Sequence, residues 1–416
     1  MPPLVRKSVV NIVPQRNSKG RNLTMKLAKA SRFASIGCLA LPLMLSSVPA
    51  LAQTLDPALI EARRQRTNDT FSLLTYRHLD ELFDTKVVET GPDTWALPQS
   101  DLRLADDAPV QIQGDATTFA AALQSLRINA ILIMRDGKVV KEVHRNGGNE
   151  RSRYIGFSLS KSWISMLFGI VLERGKIGSI DDPVIRYLPQ LKGTAYDKVT
   201  LRHLLTMRAG TSWVENYAPG SVLDGVRDGS TNTETMYYED YASQLKVATE
   251  PGTKFNYSTL DTELAGLVLV AATGKSMAQL MTEELWRPAG MEAPGYWIMQ
   301  GPRGRQHEWY GAGFTASLRD YARLGQIMLD GGKGNGRQIV PKAWVEQSTR
   351  TDLPEKNYFY FWWSIPGVDG FAANGVGGQR VYVDRESRTV VAIASYGGPA
   401  THVDLFKSIV KSLDKN

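Results

Sequence analysis

The most regular alternation of apolar and polar positions begins at Asn129. Ala130-Ile131-Leu132-Ile133-Met134-Arg135 is an apolar run of strand length, Asp136-Gly137 is a hairpin turn, and Lys138-Val139-Val140-Lys141-Glu142-Val143-His144 alternates as the return strand. After Gly156 the pattern changes. Ile164-Ser165-Met166-Leu167-Phe168-Gly169-Ile170-Val171-Leu172 is apolar all round, as expected of a helix buried on every face. Short helices are expected from Asp181-Asp182-Pro183-Val184 and over 199–205, and longer ones at about 259–273, 276–287 and 316–330. Residues 211–250, rich in Gly, Asp and aromatics but without periodicity, read as loop over a site. Strand patterns return at 358–364, 380–384 and 389–395, and 402–413 closes the chain as an amphipathic helix. Ahead of the hairpin, 56–68 reads as a short polar helix and 70–115 as irregular, with Pro92, Pro98 and Pro109.

This order predicts a mixed α/β protein of the α+β type. A central antiparallel sheet is built from both ends of the chain (129–147 and 358–396) and flanked by helices, with a mainly helical region inserted at about 156–330. The expected divisions are a leader at 1–52, an N-terminal extension at 53–115 and the main domain at 116–416.

With 416 residues, 43% hydrophobic and 22% charged, the chain is globular. Its net charge of +7 has a local origin. Residues 1–52 hold eight Lys or Arg and no acid; a basic segment opening at Met25-Lys26 is followed by an apolar run from about Phe33 to Leu45 and by Ala50-Leu51-Ala52. This is the layout of a secretory signal cleaved after Ala52, with Met1 or Met25 as the start, and the apolar run is short for a membrane span. Without the leader the remainder is close to neutral, so a nucleic-acid partner loses its electrostatic support and stable membrane association is not expected. The only cysteine, Cys38, lies in the leader, so the mature chain has neither disulfide nor thiol nucleophile. The expected location is the periplasm or the exterior.

Candidate chemistry starts at Gly156-Phe157-Ser158-Leu159-Ser160-Lys161. Ser158 and Lys161, three residues apart at a helix mouth, share one face. A lysine whose pKa is lowered by burial can take the serine's proton, and a helix N-terminus favours an oxyanion forming there. Ser-x-x-Lys also occurs at Ser243–Lys246, Ser408–Lys411 and Ser412–Lys415, each in polar surroundings without a buried helix. A second element, Glu250-Pro251-Gly252-Thr253-Lys254-Phe255-Asn256-Tyr257-Ser258-Thr259, puts Tyr257 in a loop before a helix. Near a lysine such a phenol can be partly ionised and relay a proton. A third, Asn374-Gly375-Val376-Gly377-Gly378-Gln379, can bring a backbone N–H close to a substrate carbonyl.

The three elements together resemble the serine β-lactamase and penicillin-binding-protein superfamily over about residues 125–415. The similarity is greatest to its class C-like branch of esterases, D-amino-acid peptidases and 6-aminohexanoate-dimer (nylon-oligomer) hydrolases. Thr200-Leu201-Arg202-His203-Leu204-Leu205-Thr206-Met207-Arg208-Ala209-Gly210 and Gly313-Phe314-Thr315-Ala316-Ser317-Leu318-Arg319-Asp320 support it. The resemblance implies Ser158 as nucleophile, Lys161 as proton acceptor, Tyr257 as its partner, and an oxyanion hole from the N–H groups of Ser158 and Val376. Asn374 and Gly375 would line the substrate, and Tyr217, in Trp213-Val214-Glu215-Asn216-Tyr217, would meet the leaving amine. Two departures stand out. Thr259 replaces the Asn of the Tyr-x-Asn element, and Ala372-Ala373-Asn374-Gly375-Val376 carries no Lys-Thr-Gly. The lysine that would hold a lactam carboxylate is therefore missing, which favours small linear amides or esters over β-lactams.

Other readings are a class C-like β-lactamase or D-amino-acid carboxypeptidase, a Ser158–His402 triad lacking Gly-x-Ser-x-Gly, and a binding module with the same fold but no turnover. No phosphate loop and no His-Glu-x-x-His helix occur, so neither cofactor nor metal is expected.

Overall fold

The computed structural model describes residues 55–350, 357–398 and 402–415. The expected leader, its cleavage point and Cys38 lie outside the described residues. A seven-stranded antiparallel sheet runs, in spatial order, through Tyr358–Phe359, Trp362–Ser364, Gly370–Gly375, Gln379–Asp384, Thr389–Ser395, Ile128–Arg135 and Lys138–His144. Late and early strands meet in its middle, where Val391 pairs with Ile133. The hairpin turn has positive φ at Asp136 (50°) and Gly137 (74°), matching strand twist. Alternation along these strands separates two cores. Ile131, Ile133 and Val391 pack with Leu405, Phe406 and Ile409 of the C-terminal helix His402–Leu413. Leu132, Met134 and Val390 face a larger core shared with helices Ser160–Glu173 and Leu318–Leu329.

The helix Ser160–Glu173 is buried from Ser160 to Val171, as its unbroken apolar run requires. It begins at Ser160, two residues after Ser158. Phe157–Leu159 forms a 3-10 turn, so Ser158 sits in the turn and Lys161 in the first turn of the helix proper.

A second antiparallel sheet was not expected. Its strands are Thr85–Val88, Gly295–Gln300, Phe314–Ser317 and Arg153–Ile155, with His307–Glu308 paired to Gly295–Gln300. Residues 70–115 are therefore not simply irregular. They supply an edge strand and a hairpin, Pro109–Ile112 with Asp115–Thr118. Strands of four residues, partly exposed, are too short to show a period. The 211–250 region likewise contains a helix, Val222–Arg227, and a 3-10 segment, Tyr238–Gln244.

Residues 55–83 are woven into the body. Helix Pro57–Gln65 is tied down by Arg63 to Glu234 (2.8 Å) and Arg64 to Asp228 (2.7 Å). Ser72 Oγ donates to the Tyr396 carbonyl (2.7 Å), and the Tyr76 ring meets Phe157 edge-on at 4.9 Å.

Candidate active site

Two close backbone approaches fix Ser158. Phe157, just before it, has φ of +46°, a left-handed conformation that costs a non-glycine residue strain energy. Its buried ring, held by Tyr76, keeps the turn in that shape. On the other side Gly375 ends strand Gly370–Gly375, and a Cβ there would lie 2.0 Å from the Gly156 carbonyl oxygen. Only glycine lets this strand reach the turn.

Lys161 is 1% exposed, and its Nζ donates to three oxygens: Ser158 Oγ (3.1 Å), Thr259 Oγ1 (3.1 Å) and the Gly311 carbonyl (2.7 Å). Burial pulls its pKa down to about 8, although the carboxylates of Glu215 and Glu263 act the other way. Glu263 sets the third acceptor in place by taking the N–H of Gly311 (2.7 Å) and of Tyr310 (3.2 Å).

The structure brings Tyr257 to the same point. Lys161 Nζ lies 5.3 Å from the centre of its ring, and the phenol interacts with the Ser158 hydroxyl. Trp363 stacks on Tyr257 and Tyr358 meets it edge-on, both at 5.7 Å. Burial raises the phenol's pKa well above 10, outweighing the hydrogen bond with Ser158. The expectation of a partly ionised phenol is thus corrected: Tyr257 is a neutral O–H donor at neutral pH, and Lys161 is the group poised to lose a proton.

Glu215, not singled out from the sequence, is the hub of the site. Its carboxylate accepts from Trp213 Nε1 (2.7 Å), the Tyr217 hydroxyl (2.9 Å), the Thr259 N–H (2.9 Å) and the Thr259 hydroxyl. The Thr259 hydroxyl therefore donates to Glu215 while accepting from Lys161. Thr259 opens helix Thr259–Thr273, where a carboxylate is electrostatically favoured. The departure from Asn at this position thus creates a Lys161–Thr259–Glu215 chain.

The remaining expected residues fall in different places. Val376 lines the same cleft as Ser158, and both lie in the first turn of a short 3-10 element, where backbone N–H groups have no intrahelical partner. Tyr217 also lines the cleft, and its hydroxyl donates to Glu215, which leaves its oxygen able to accept from a leaving amine. Asn374 and Gly375 do not line it. Gly375 packs on Gly156, and Asn374 has its side-chain oxygen buried without a partner among the described residues. His402 is buried and pairs with Ser395 Oγ (3.0 Å), with its pKa lowered to about 4 by burial; it is no triad member for Ser158. The cleft is small, about 40 Å³, space for roughly three waters. A larger groove of about 1110 Å³, beside the Pro109–Thr118 hairpin and the C-terminal helix, contains none of the catalytic candidates.

Residues 118–409 match the Beta-lactamase family. The chain belongs to the beta-lactamase family of serine hydrolases. Among its relatives, a 6-aminohexanoate-dimer hydrolase of Paenarthrobacter ureafaciens is 25% identical over 307 residues, covering 67% of this chain and 75% of that one. A beta-lactamase of Escherichia coli K12 is 30% identical over 131 residues, 32% of this chain and 31% of that one. Among solved structures, one from Bacillus anthracis bearing the 6-aminohexanoate-dimer hydrolase name superposes with a TM-score of 0.75 at 25% identity, covering 84% of this chain and 96% of that one. Members of the family share the sheet-and-helix body seen here.

Proposed function

We propose that this serine hydrolase cleaves small linear amides or esters through an acyl-enzyme on Ser158. The observation that carries the reading is the Lys161 amine, 3.1 Å from Ser158 Oγ and depressed to a pKa of about 8. At neutral pH about a tenth of such amines are unprotonated, enough to serve as a base.

Lys161 takes the Ser158 proton as Oγ attacks the carbonyl carbon. The oxyanion is received by the N–H groups of Ser158 and Val376. Tyr257, a neutral phenol beside Ser158, hands a proton to the departing amine or alcohol and is refilled from Lys161. Water then attacks the acyl carbon, its proton returns along the same path, and the Ser158–acyl bond breaks to release the acid.

Strand Gly370–Gly375 runs Gly-Phe-Ala-Ala-Asn-Gly and offers no cation for a lactam carboxylate. Similarity to 6-aminohexanoate-dimer hydrolases supports a linear amide as substrate. The leader composition supports action in the periplasm or outside the cell; N-terminal sequencing of secreted protein should begin near residue 53.

The decisive test compares p-nitrophenyl esters, the 6-aminohexanoate dimer, D-amino-acid peptides and nitrocefin on wild type and Ser158→Ala. Ester or linear-amide turnover should vanish in Ser158→Ala, with nitrocefin slow on wild type. Fast nitrocefin cleavage would favour a β-lactamase, and failure of a fluorophosphonate to label Ser158 would favour a binding module.

A further inference from the structure

One wall of the cleft, contributed by Arg66, Thr67, Leu223 and Arg227, carries two guanidinium groups. Arg66 and Arg227 both line the cavity that Ser158 enters. Arg66 is only 3% exposed, yet it has no carboxylate within ion-pair distance among the described residues. Each neighbouring arginine has one: Arg63 pairs with Glu234 (2.8 Å), Arg64 with Asp228 (2.7 Å) and Arg227 with Asp224 (2.8 Å). Arg66 spends a single nitrogen, Nη1, on the Arg63 carbonyl and Asn232 Oδ1, both at 2.6 Å. Among the described residues its Nε and Nη2 make no hydrogen bond. The Phe83 ring lies 5.2 Å from its guanidinium carbon and fixes the group's place.

A buried guanidinium cannot shed its charge by deprotonating at neutral pH, and a buried charge without a partner is costly. Its open donors present the fork that matches a carboxylate. We propose that Arg66, reinforced by Arg227, forms an anion subsite in the wall of the cleft that Ser158 enters and receives a carboxylate of the substrate there. The inference rests on the reading of Ser158 as nucleophile. It narrows the substrate class to linear amides or esters with a terminal carboxylate. The subsite comes from the N-terminal segment, not from the strand where the resemblance would place a cation.

The test uses two probe pairs. 4-Nitrophenyl hydrogen adipate against 4-nitrophenyl hexanoate places the carboxylate on the acyl side. 6-Acetoxyhexanoate against hexyl acetate places it on the alcohol side. In wild type, one carboxylate probe should exceed its neutral partner in kcat/KM by about tenfold or more, the value of one charge-assisted hydrogen bond. The ratio should fall towards one in Arg66→Gln and in Arg227→Gln, chiefly through KM, and be partly kept in Arg66→Lys. If Arg66→Gln does not fold, the half-buried Arg227→Gln carries the test. A ratio of one or below for both pairs in wild type, or a ratio unchanged in both variants, overturns the subsite. The parent reading fails separately, if Ser158→Ala still turns over the neutral esters.

Discussion

At the scale of single residues, the lowered pKa of Lys161 sets the pH behaviour. On the proposed mechanism Lys161 must be neutral to take the serine proton, so kcat/KM should rise with pH and level off above about 8. Lys161→Arg, which stays charged, should be inactive across the whole range. Thr259 is a second check. Its hydroxyl joins Lys161 to Glu215, and Thr259→Val leaves both short of a partner. Loss of a hydrogen bond to a charged group is worth about 1.5–3 kcal/mol, so kcat/KM should fall by roughly 10- to 100-fold while the fold survives. A value near wild type would remove Thr259 from the machinery. That Ser158, Lys161 and Tyr257 meet was legible because their motifs are local and sit beside a buried helix. Glu215 was not, since its four donors come from Trp213, Tyr217 and Thr259 and no spacing in the chain announces that meeting. The ionisation state of Tyr257 is not legible in the sequence, because burial, invisible there, outweighs its neighbours.

At the scale of elements, the site depends on strand Gly370–Gly375 touching the turn that carries Ser158. A methyl group at residue 375 would meet the Gly156 carbonyl oxygen at 2.0 Å, so strand or turn must move. Gly375→Ala should cost about 1–3 kcal/mol of stability by overpacking and, by displacing Ser158, about 100-fold in kcat. Denaturation midpoints and kcat on a p-nitrophenyl ester check both. The long apolar or alternating elements were readable: helices Thr259–Thr273 and His402–Leu413 and the hairpin Ile128–His144 lie where the pattern puts them. The second sheet was hidden because its strands are short and pair across more than 100 residues, as Arg153–Ile155 does with Phe314–Ser317.

At the scale of the whole molecule, one ion pair should contribute a separable part of the pH dependence of stability. His307 lies between Tyr237 and Tyr310, and its Nε2 is 2.7 Å from Glu239. Burial alone would lower its pKa, but the Glu239 carboxylate prevails and lifts it to about 9. The folded value lies above the unfolded one. The contribution is therefore complete below about 6.5 and is lost as pH rises through about 9; it amounts to at most about 3 kcal/mol. Lys161, whose folded pKa is depressed, acts in the opposite sense between about 8 and its unfolded value. The difference between wild type and His307→Gln isolates the histidine. Urea midpoints at pH 6.5 and 9 should converge for the two proteins at the higher pH, and a constant gap would refute the assignment.

The turn bearing Ser158 is braced by Tyr76 from one end of the chain and by Gly375 from the other, and Ser72 is bonded to Tyr396. Segments far apart in the sequence thus clamp one short turn between them, so clipping away either the stretch around Tyr76 or the strands beyond Asn374 should let that turn drift out of line with Lys161.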